Sequence, residues 1–395
     1  MRILHFGVKR FLLDKATETT SLYIHVPFCL KKCPYCDFFS VPVEAHDLSA
    51  YADLLIRHLQ LLSAQPGNDK QLESIFFGGG TPSLLPPDDV GRILKIAEEQ
   101  FGFVEDIEIS LEANPGTIDQ ERLAGFRAAG INRLSLGVQS LCDQRLGQLE
   151  RPYSVAEAEA ALRMSRTSGF KNLSCDLMFA LPGQTIEAVR TDVDRILAFA
   201  PDHLAIYGLT VEAGTPLFLQ EQAGEWPGFD EDLYADMYLM LHETLASEGY
   251  RHYEISNFSR PGSECRHNLR YWQRQENLAV GAGGHSFREA VWGERWATPD
   301  NLAGYQQALE TDHDPAERIE CFNKAAAMFE TLYLGLRTDR GVDDKMFSSR
   351  FGCTVNEAYP EAVEHCGARI ERNEGFWRLD IEGWLLFNTL LARFD

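Results

Sequence analysis

The chain is predicted to be an α/β protein, a partial barrel of six β-α units followed by a small C-terminal α+β domain of winged-helix-like pattern. Three observations predict it. Over the first half, short β-rich runs alternate with helix-patterned runs. Polar residues and glycines gather where each predicted strand ends, as they do on the active face of barrel enzymes. From Trp226 onward the alternation stops, and helical stretches followed by a hairpin pattern take over.

The expected strands are Leu22–Val26, Ser74–Phe77, Ile107–Leu111, Arg133–Val138, Leu173–Phe179 and His203–Gly208. Amphipathic stretches between them, Ser49–Ala64, Asp88–Gln100, Gln120–Ala129, Val155–Ser168 and Ile186–Ala198, read as helices. Asp119 and Ser154 are suited to cap two of them. Serial β-α units require a parallel sheet with helices outside, and six are too few to close an eight-stranded barrel. The expected division is an N-terminal extension (1–20), the barrel (21–225), a barrel extension (226–314) and a C-terminal domain (315–395). Within the last two parts, Phe229–Gly249 reads as a helix, followed by the run Tyr253–Phe258 and the Gly-rich segment 280–285. Ile319–Leu336 reads as a helix, Arg369–Arg372 and Phe376–Leu379 as a hairpin, and the end of the chain as a closing helix to Phe394.

Composition narrows the function. With 395 residues, 45% of them hydrophobic, the chain can build a sizeable core. A net charge of −22 argues against nonspecific binding to nucleic acid or anionic lipid, both of which need basic surface. No stretch approaches the apolar length that spans a bilayer. Lys9, Arg10 and Asp14 interrupt the apolar pieces at the N-terminus, so no signal peptide is expected. The chain is expected in the cytoplasm, with docking to a membrane protein left open. Nine cysteines, an odd number dispersed along the chain, do not suggest a disulfide framework.

Cys29, Cys33 and Cys36 are spaced C-x3-C-x2-C. Three thiolates can hold three corners of a cubane iron–sulfur cluster, leaving the fourth iron open to a small molecule. The same thiols with His25 as fourth ligand would make a zinc site, although no second knuckle accompanies them. After the second predicted strand comes Gly78-Gly79-Gly80-Thr81-Pro82, whose glycines let backbone approach a ligand closely. Cys142, Cys175, Cys321, Cys353 and Cys366 have no metal-like spacing and read as ordinary thiols.

The cysteine run resembles the signature of radical S-adenosylmethionine (SAM) enzymes, so the partial barrel is expected to be of radical SAM type. The motifs Tyr23-x-His25-x-Pro27-Phe28-Cys29, Gly79-Gly80-Thr81-Pro82, Glu112-x-Asn114-Pro115, Gly137-Val138-Gln139-Ser140, Arg151 and Asp176-Leu177-x-x-x-Leu181-Pro182-Gly183 follow in order. This series resembles the oxygen-independent coproporphyrinogen III oxidase superfamily. The resemblance implies that Cys29, Cys33 and Cys36 hold a [4Fe-4S] cluster. It implies that Tyr23, Tyr35, Gly79, Gly80, Thr81, Glu112, Gln139, Arg151 and Asp176 contact SAM. Those residue types suit the ligand: carboxylates for ribose hydroxyls and ammonium, Arg for carboxylate, Tyr for adenine.

Two departures select the branch. The oxidase has a fourth motif cysteine where this chain has Phe38, and a longer segment before its cluster motif. Cys-Pro-Tyr-Cys-Asp-Phe is instead similar to HemW, the oxidase-like family regarded as a heme chaperone. A second motif, Cys265-Arg266-His267-Asn268-Leu269-Arg270-Tyr271-Trp272, resembles the HemW pattern His-Asn-x-x-Tyr-Trp. In that family it is proposed to take part in heme binding. By this resemblance His267, Tyr271 and Trp272 are heme candidates, with Cys265 a rival axial ligand. The alternative is a buried His-Asn turn with Tyr and Trp filling core. The favoured implication is a chaperone passing heme to a membrane-bound respiratory enzyme, with a low-potential electron donor and no nucleic-acid partner; a homodimer is left open. The competing readings are a radical enzyme of porphyrin metabolism, whether decarboxylase, methyltransferase or heme-opening, and a noncatalytic zinc or iron–sulfur module.

Overall fold

The computed structural model describes residues 18–226, 228 and 230–394. Six parallel strands form its centre: β1 (Thr19–Val26), β2 (Gln71–Gly79), β3 (Phe103–Ala113), β4 (Arg133–Gln139), β5 (Asn172–Phe179) and β6 (His203–Gly208), neighbours in that order. All six expected strands are present, most of them longer than expected. The connecting helices Leu48–Ser63, Pro87–Phe101, Gln120–Ala129, Val155–Thr167 and Ile186–Leu197 match the expected stretches to within a residue or so at each end. Asp119 caps the third by accepting from the Arg122 N–H, and Ser154 forms a capping box with Glu157 on the fourth.

Strands covered on both faces read as nearly continuous apolar runs, because neither side meets bulk water. In β4 six of seven residues are buried, and Leu134, Leu136 and Val138 belong to the main core. A parallel sheet also brings every strand's C-terminal end to one rim. Val26, Gly79, Ala113 and Gln139 therefore finish side by side.

Several expectations need correction. A seventh parallel strand, β7 (Asn277–Val280), lies against the outer side of β1, pairing Ser21 with Asn277. Its four residues carry no local sign of a partner some 250 positions away. Beyond it, His285–Arg288, Glu294–Ala297 and Glu317–Cys321 add antiparallel strands to the same sheet. Ile319–Leu336 is therefore not one helix: Glu317–Cys321 is an edge strand, and the helix runs Lys324–Gly335. Asn323 marks the break by capping the helix at Ala326. The Tyr253–Phe258 run is a hairpin of Arg251–Glu254 and Asn257–Ser259, whose second strand covers β6. Among the described residues the sheet therefore has twelve strands and stays open.

The helix expected at Phe229–Gly249 runs Glu231–Ser247; Phe229, like residues 1–17 of the expected extension, lies outside the described residues. Near the C-terminus, Ile370–Asn373 and Phe376–Leu379 form the expected hairpin, joined by Val342–Asp343. The closing helix is two short ones, Ile381–Leu385 and Phe387–Leu391. These elements pack around a separate apolar cluster that includes Phe347, Trp377 and Trp384. Among the described residues no helix is long and apolar enough to cross a membrane.

Leu136 is fully buried in β4. Leu136→Ala is expected to lower unfolding free energy by about 2–5 kcal/mol, measured by urea denaturation.

Candidate functional site

After β1 the chain forms a loop closed by a short parallel pairing of Phe28–Cys29 with Val41–Pro42. The loop carries all three motif cysteines, and the Cys36 N–H donates to the Cys33 carbonyl at 3.2 Å. The end of β2 presses on it. Gly80 N–H donates to the Val26 carbonyl at 2.9 Å, and a Cβ at Gly80 would stand 2.6 Å from the Phe28 carbonyl oxygen. Only glycine permits that approach.

Two donors point at cysteine sulfurs. Thr81 Oγ1 donates to Cys29 Sγ at 3.6 Å, and Arg151 Nη1 to Cys33 Sγ at 3.2 Å. Burial pushes the Cys29 and Cys36 thiols up; for Cys29 the Thr81 hydroxyl and the Arg151 charge oppose it. A ligand that takes thiolates must therefore displace protons, as metal clusters do. The donor set fits an iron–sulfur cluster: three thiols on one loop, with hydrogen-bond donors placed for sulfur charge. It does not fit zinc with His25. That imidazole is engaged at both nitrogens, Nδ1 with Tyr23 Oη at 3.2 Å and Nε2 with the Phe39 carbonyl at 3.0 Å. Among the described residues no three His, Cys, Asp or Glu side chains converge as ligands of one ion.

Arg151 organises the next layer. Its Nε donates to Tyr153 Oη at 2.9 Å, Nη1 reaches Tyr35 Oη at 3.4 Å, and Nη2 donates to Asn114 Oδ1. Burial opposes its charge, but Tyr153, Tyr35 and Cys33 outweigh burial and hold it protonated. Gly137 makes room for the convergence. A Cβ there would lie 2.9 Å from Asn114 Oδ1, 3.0 Å from Gln139 Nε2 and 3.4 Å from Arg151 Nη2. Gln139 follows a register shift in β4 and has a left-handed backbone, φ 65°, a strained conformation for a non-glycine residue.

Glu112 and Asp176 face the barrel lumen. Burial pushes the Glu112 carboxyl up to about 8, and Asp176 adds to the shift, while Gly79 and Arg133 oppose it. Asp176 is also raised by burial, though Ser135 Oγ donates to it at 3.1 Å. Two carboxyls this close in low dielectric do not both ionise easily. Tyr207 looks toward them. Its side chain is 43% exposed, yet burial within the protein, then Asp176, raises its phenol well above normal.

The structure thus brings Tyr35, Gly79, Gly80, Thr81, Gln139 and Arg151 to the strand-end rim with the three cysteines, and Glu112 and Asp176 to the lumen beneath it. Tyr23 stands beside them, lining a cavity of about 410 Å³ with His25, Phe38, Phe39, Tyr271 and His285. Gly137, Tyr153 and Tyr207 join the site beyond the residues that the sequence assigns to SAM, and so does Asn114, a polar residue expected at the end of the third strand. Asn114 and Gly137 lie within the strand-end motifs; Tyr153 and Tyr207 carry no sequence signal beyond their place at a strand end or beside Arg151.

The heme candidates differ in how open they are. His267 is 1% exposed, with Nδ1 at 3.1 Å from Ser74 Oγ and Nε2 at 3.0 Å from Tyr271 Oη. Its ring stacks on Phe76, and burial lowers its pKa to about 3. Cys265 is fully buried, bonded to Glu108 at 3.7 Å, and burial raises its thiol to about 12. Tyr271 and Trp272 open onto different cavities.

The radical SAM superfamily model matches residues 23–196, and the HemN C-terminal domain model matches 322–386. A heme chaperone HemW of Haemophilus influenzae is 40% identical over 388 residues, 95% of this chain and 97% of that protein. A heme chaperone HemW of Lactococcus lactis is 34% identical over 346 residues, 88% of this chain and 89% of that protein. Coproporphyrinogen III oxidase (HemN) of Escherichia coli, a radical SAM enzyme, has a TM-score of 0.80 over 99% of this chain and 94% of its own, at 23% identity, a likeness of fold. With a triple-cysteine loop at the rim of a six-unit partial barrel, the protein is of the radical SAM class. Within that class the chain belongs to the HemW family.

Two outcomes follow. Gly137→Ala is expected to weaken SAM binding to the reconstituted protein by at least about tenfold, read by equilibrium dialysis, because the methyl displaces Asn114 and Gln139. Glu112 binds its proton more tightly folded than unfolded, so between the ordinary carboxylate value and about pH 8 the folded state holds more protons and unfolding free energy falls as pH rises. Glu112→Gln is expected to flatten that slope in urea titrations at pH 5.5 and 8.

Proposed function

We propose that this protein is a heme chaperone that binds SAM at a [4Fe-4S] cluster and hands heme to a membrane-bound respiratory enzyme. The observation that carries the reading is near full-length likeness, at 40% identity, to a protein named heme chaperone HemW. Phe38, 62% exposed, occupies the position of the oxidase's fourth cysteine, which also favours this branch.

In this reading Cys29, Cys33 and Cys36 hold three irons of the cluster. The cluster, when bound, supplies an electron able to cleave SAM reductively. The chain's own residues do the positioning. Arg151 and Thr81 place N–H and O–H donors on two of the sulfurs, favouring the thiolate form. Gly79 and Gly80 let the β2 backbone approach the SAM ammonium. Glu112 and Asp176 take the ribose hydroxyls and ammonium, and the ammonium charge opposes the burial that raises both carboxyls. Arg151 and Gln139 address the SAM carboxylate, while Tyr23 and Tyr35 flank the adenine. The electron comes from a low-potential donor, the working place is the cytoplasm beside the membrane, and a homodimer is the assembly to test.

Anaerobic protein with reconstituted cluster is expected to retain heme stoichiometrically and to release little deoxyadenosine with coproporphyrinogen III and SAM. Decarboxylation with matching deoxyadenosine release and no heme retention would make it an oxidase. Cys33→Ser is expected to abolish the cluster's visible absorption.

A further inference from the structure

Successive side chains of β6 point to opposite faces of the sheet. Leu204 and Ile206 belong to the main core. His203, Ala205 and Tyr207 alternate with them and face the lumen. His203 fixes that direction at the lower end, with Nδ1 at 2.8 Å from Ser174 Oγ and Nε2 at 2.8 Å from Tyr253 Oη. Parallel pairing sets Ala205 opposite Asp176 and Tyr207 opposite Met178. Tyr207 therefore stands one pleat nearer the rim than Asp176, on the neighbouring strand. Such a diagonal offset is about 7–8 Å, within reach of an aromatic side chain. Ala205 is too small to stand between the two.

The Tyr207 phenol is open and keeps its hydrogen. It is 43% exposed, and its hydroxyl has no hydrogen-bond partner among the described residues. The other phenols of the site are engaged: Tyr23 with His25 Nδ1, Tyr35 with Arg151, and Tyr153 with the Gly137 carbonyl. Burial, then Asp176, keeps the proton on Tyr207. A free O–H thus points at the carboxyls assigned to the ribose and ammonium of SAM. Reductive cleavage of SAM leaves a primary alkyl radical, and the methyl C–H bond which that radical forms is stronger than a phenol O–H.

We propose that Tyr207 is a catalytic residue, the hydrogen-atom donor that ends SAM cleavage in place of a substrate C–H. The proposal rests on the reading of the rim as a SAM-ligated cluster site. One electron from the low-potential donor breaks the bond between the SAM sulfur and the 5′ carbon, giving methionine and a deoxyadenosyl radical. The radical takes the hydrogen atom of the Tyr207 hydroxyl, giving deoxyadenosine and a neutral phenoxyl. A second electron from the donor and a proton from solvent restore the phenol. SAM, two electrons and one proton become methionine and deoxyadenosine.

The test uses full-length, cluster-loaded protein exchanged into heavy water and reduced with dithionite in the presence of SAM. A phenol hydrogen exchanges with solvent, whereas the Cα hydrogens of Gly79, Gly80 and Gly137 do not. Wild type is expected to form deoxyadenosine slowly, without added substrate, carrying one solvent deuterium by mass spectrometry. Frozen samples are expected to show a phenoxyl EPR signal that narrows in protein grown on ring-deuterated tyrosine. Tyr207→Phe is expected to remove that signal and to lower deuterium incorporation at least about tenfold. An unchanged thermal melt confirms folding, and the ring-deuterated wild type needs no variant. Bound SAM with no deoxyadenosine, deoxyadenosine without solvent deuterium, or equal deuterium in Tyr207→Phe would overturn the assignment and leave the SAM reading standing. Failure of the wild type to bind SAM in equilibrium dialysis would overturn both.

Discussion

Arg151 makes contacts in three places at once: a sulfur and a phenol on the cysteine loop, the Asn114 amide beyond β3, and Tyr153 just past it in sequence. Tyr153 in turn donates to the Gly137 carbonyl at 2.5 Å, which extends the network to the end of β4. One guanidinium can do this because its donors fan out in a plane with fixed angles; a lysine ammonium could not reach the same set. Its charge also matters in a strongly acidic chain, because it stands beside thiols that must become thiolates. Burial of that charge is tolerable only because several acceptors surround it.

The rim depends equally on what is small. Gly80 lets the β2 end touch the cysteine loop, and Gly137 lets three polar side chains meet above β4. Between them the parallel sheet sets spacing along the rim, and the contacts of Arg151 and Thr81 join the cysteine loop to it. The lumen beneath holds Glu112, Asp176 and Tyr207 with the buried Arg133, whose charge is sustained against burial by Cys265, Glu108, Tyr253 and Asp176. In this low-dielectric interior burial raises both carboxyls, and the fixed Arg133 charge opposes it.

The segment Cys265–Trp272 connects this interior to the C-terminal elements. Cys265 and His267 are bonded inward, to Glu108 on β3 and Ser74 on β2, and Trp272 faces outward to a groove against the C-terminal elements. Arg270 anchors the same helix to Glu73 and to backbone carbonyls at Thr19 and Glu276. The helix is thus fixed on its inner side, and its outer side is presented as part of a wall.

The β-α alternation, the six barrel strands, the cysteine loop and the glycine run after β2 were all legible in the sequence. Their signals are local: a two-residue or 3.6-residue period, a cap, a C-x3-C-x2-C spacing. Tertiary structure alone decided the rest. β7 pairs with β1 across some 250 residues, and Glu317–Cys321 left a helical-looking run to become an edge strand. Tyr153 and Gly137 became site residues because Arg151 and Asn114 met there. His267, a ligand by type, was enclosed with both nitrogens bonded, while Met346 and Arg350, unremarked in sequence, came to face an open groove. Residue type and spacing record what a side chain can bind. Whether it is open to bind depends on burial and on partners brought by distant strands, which no local pattern encodes.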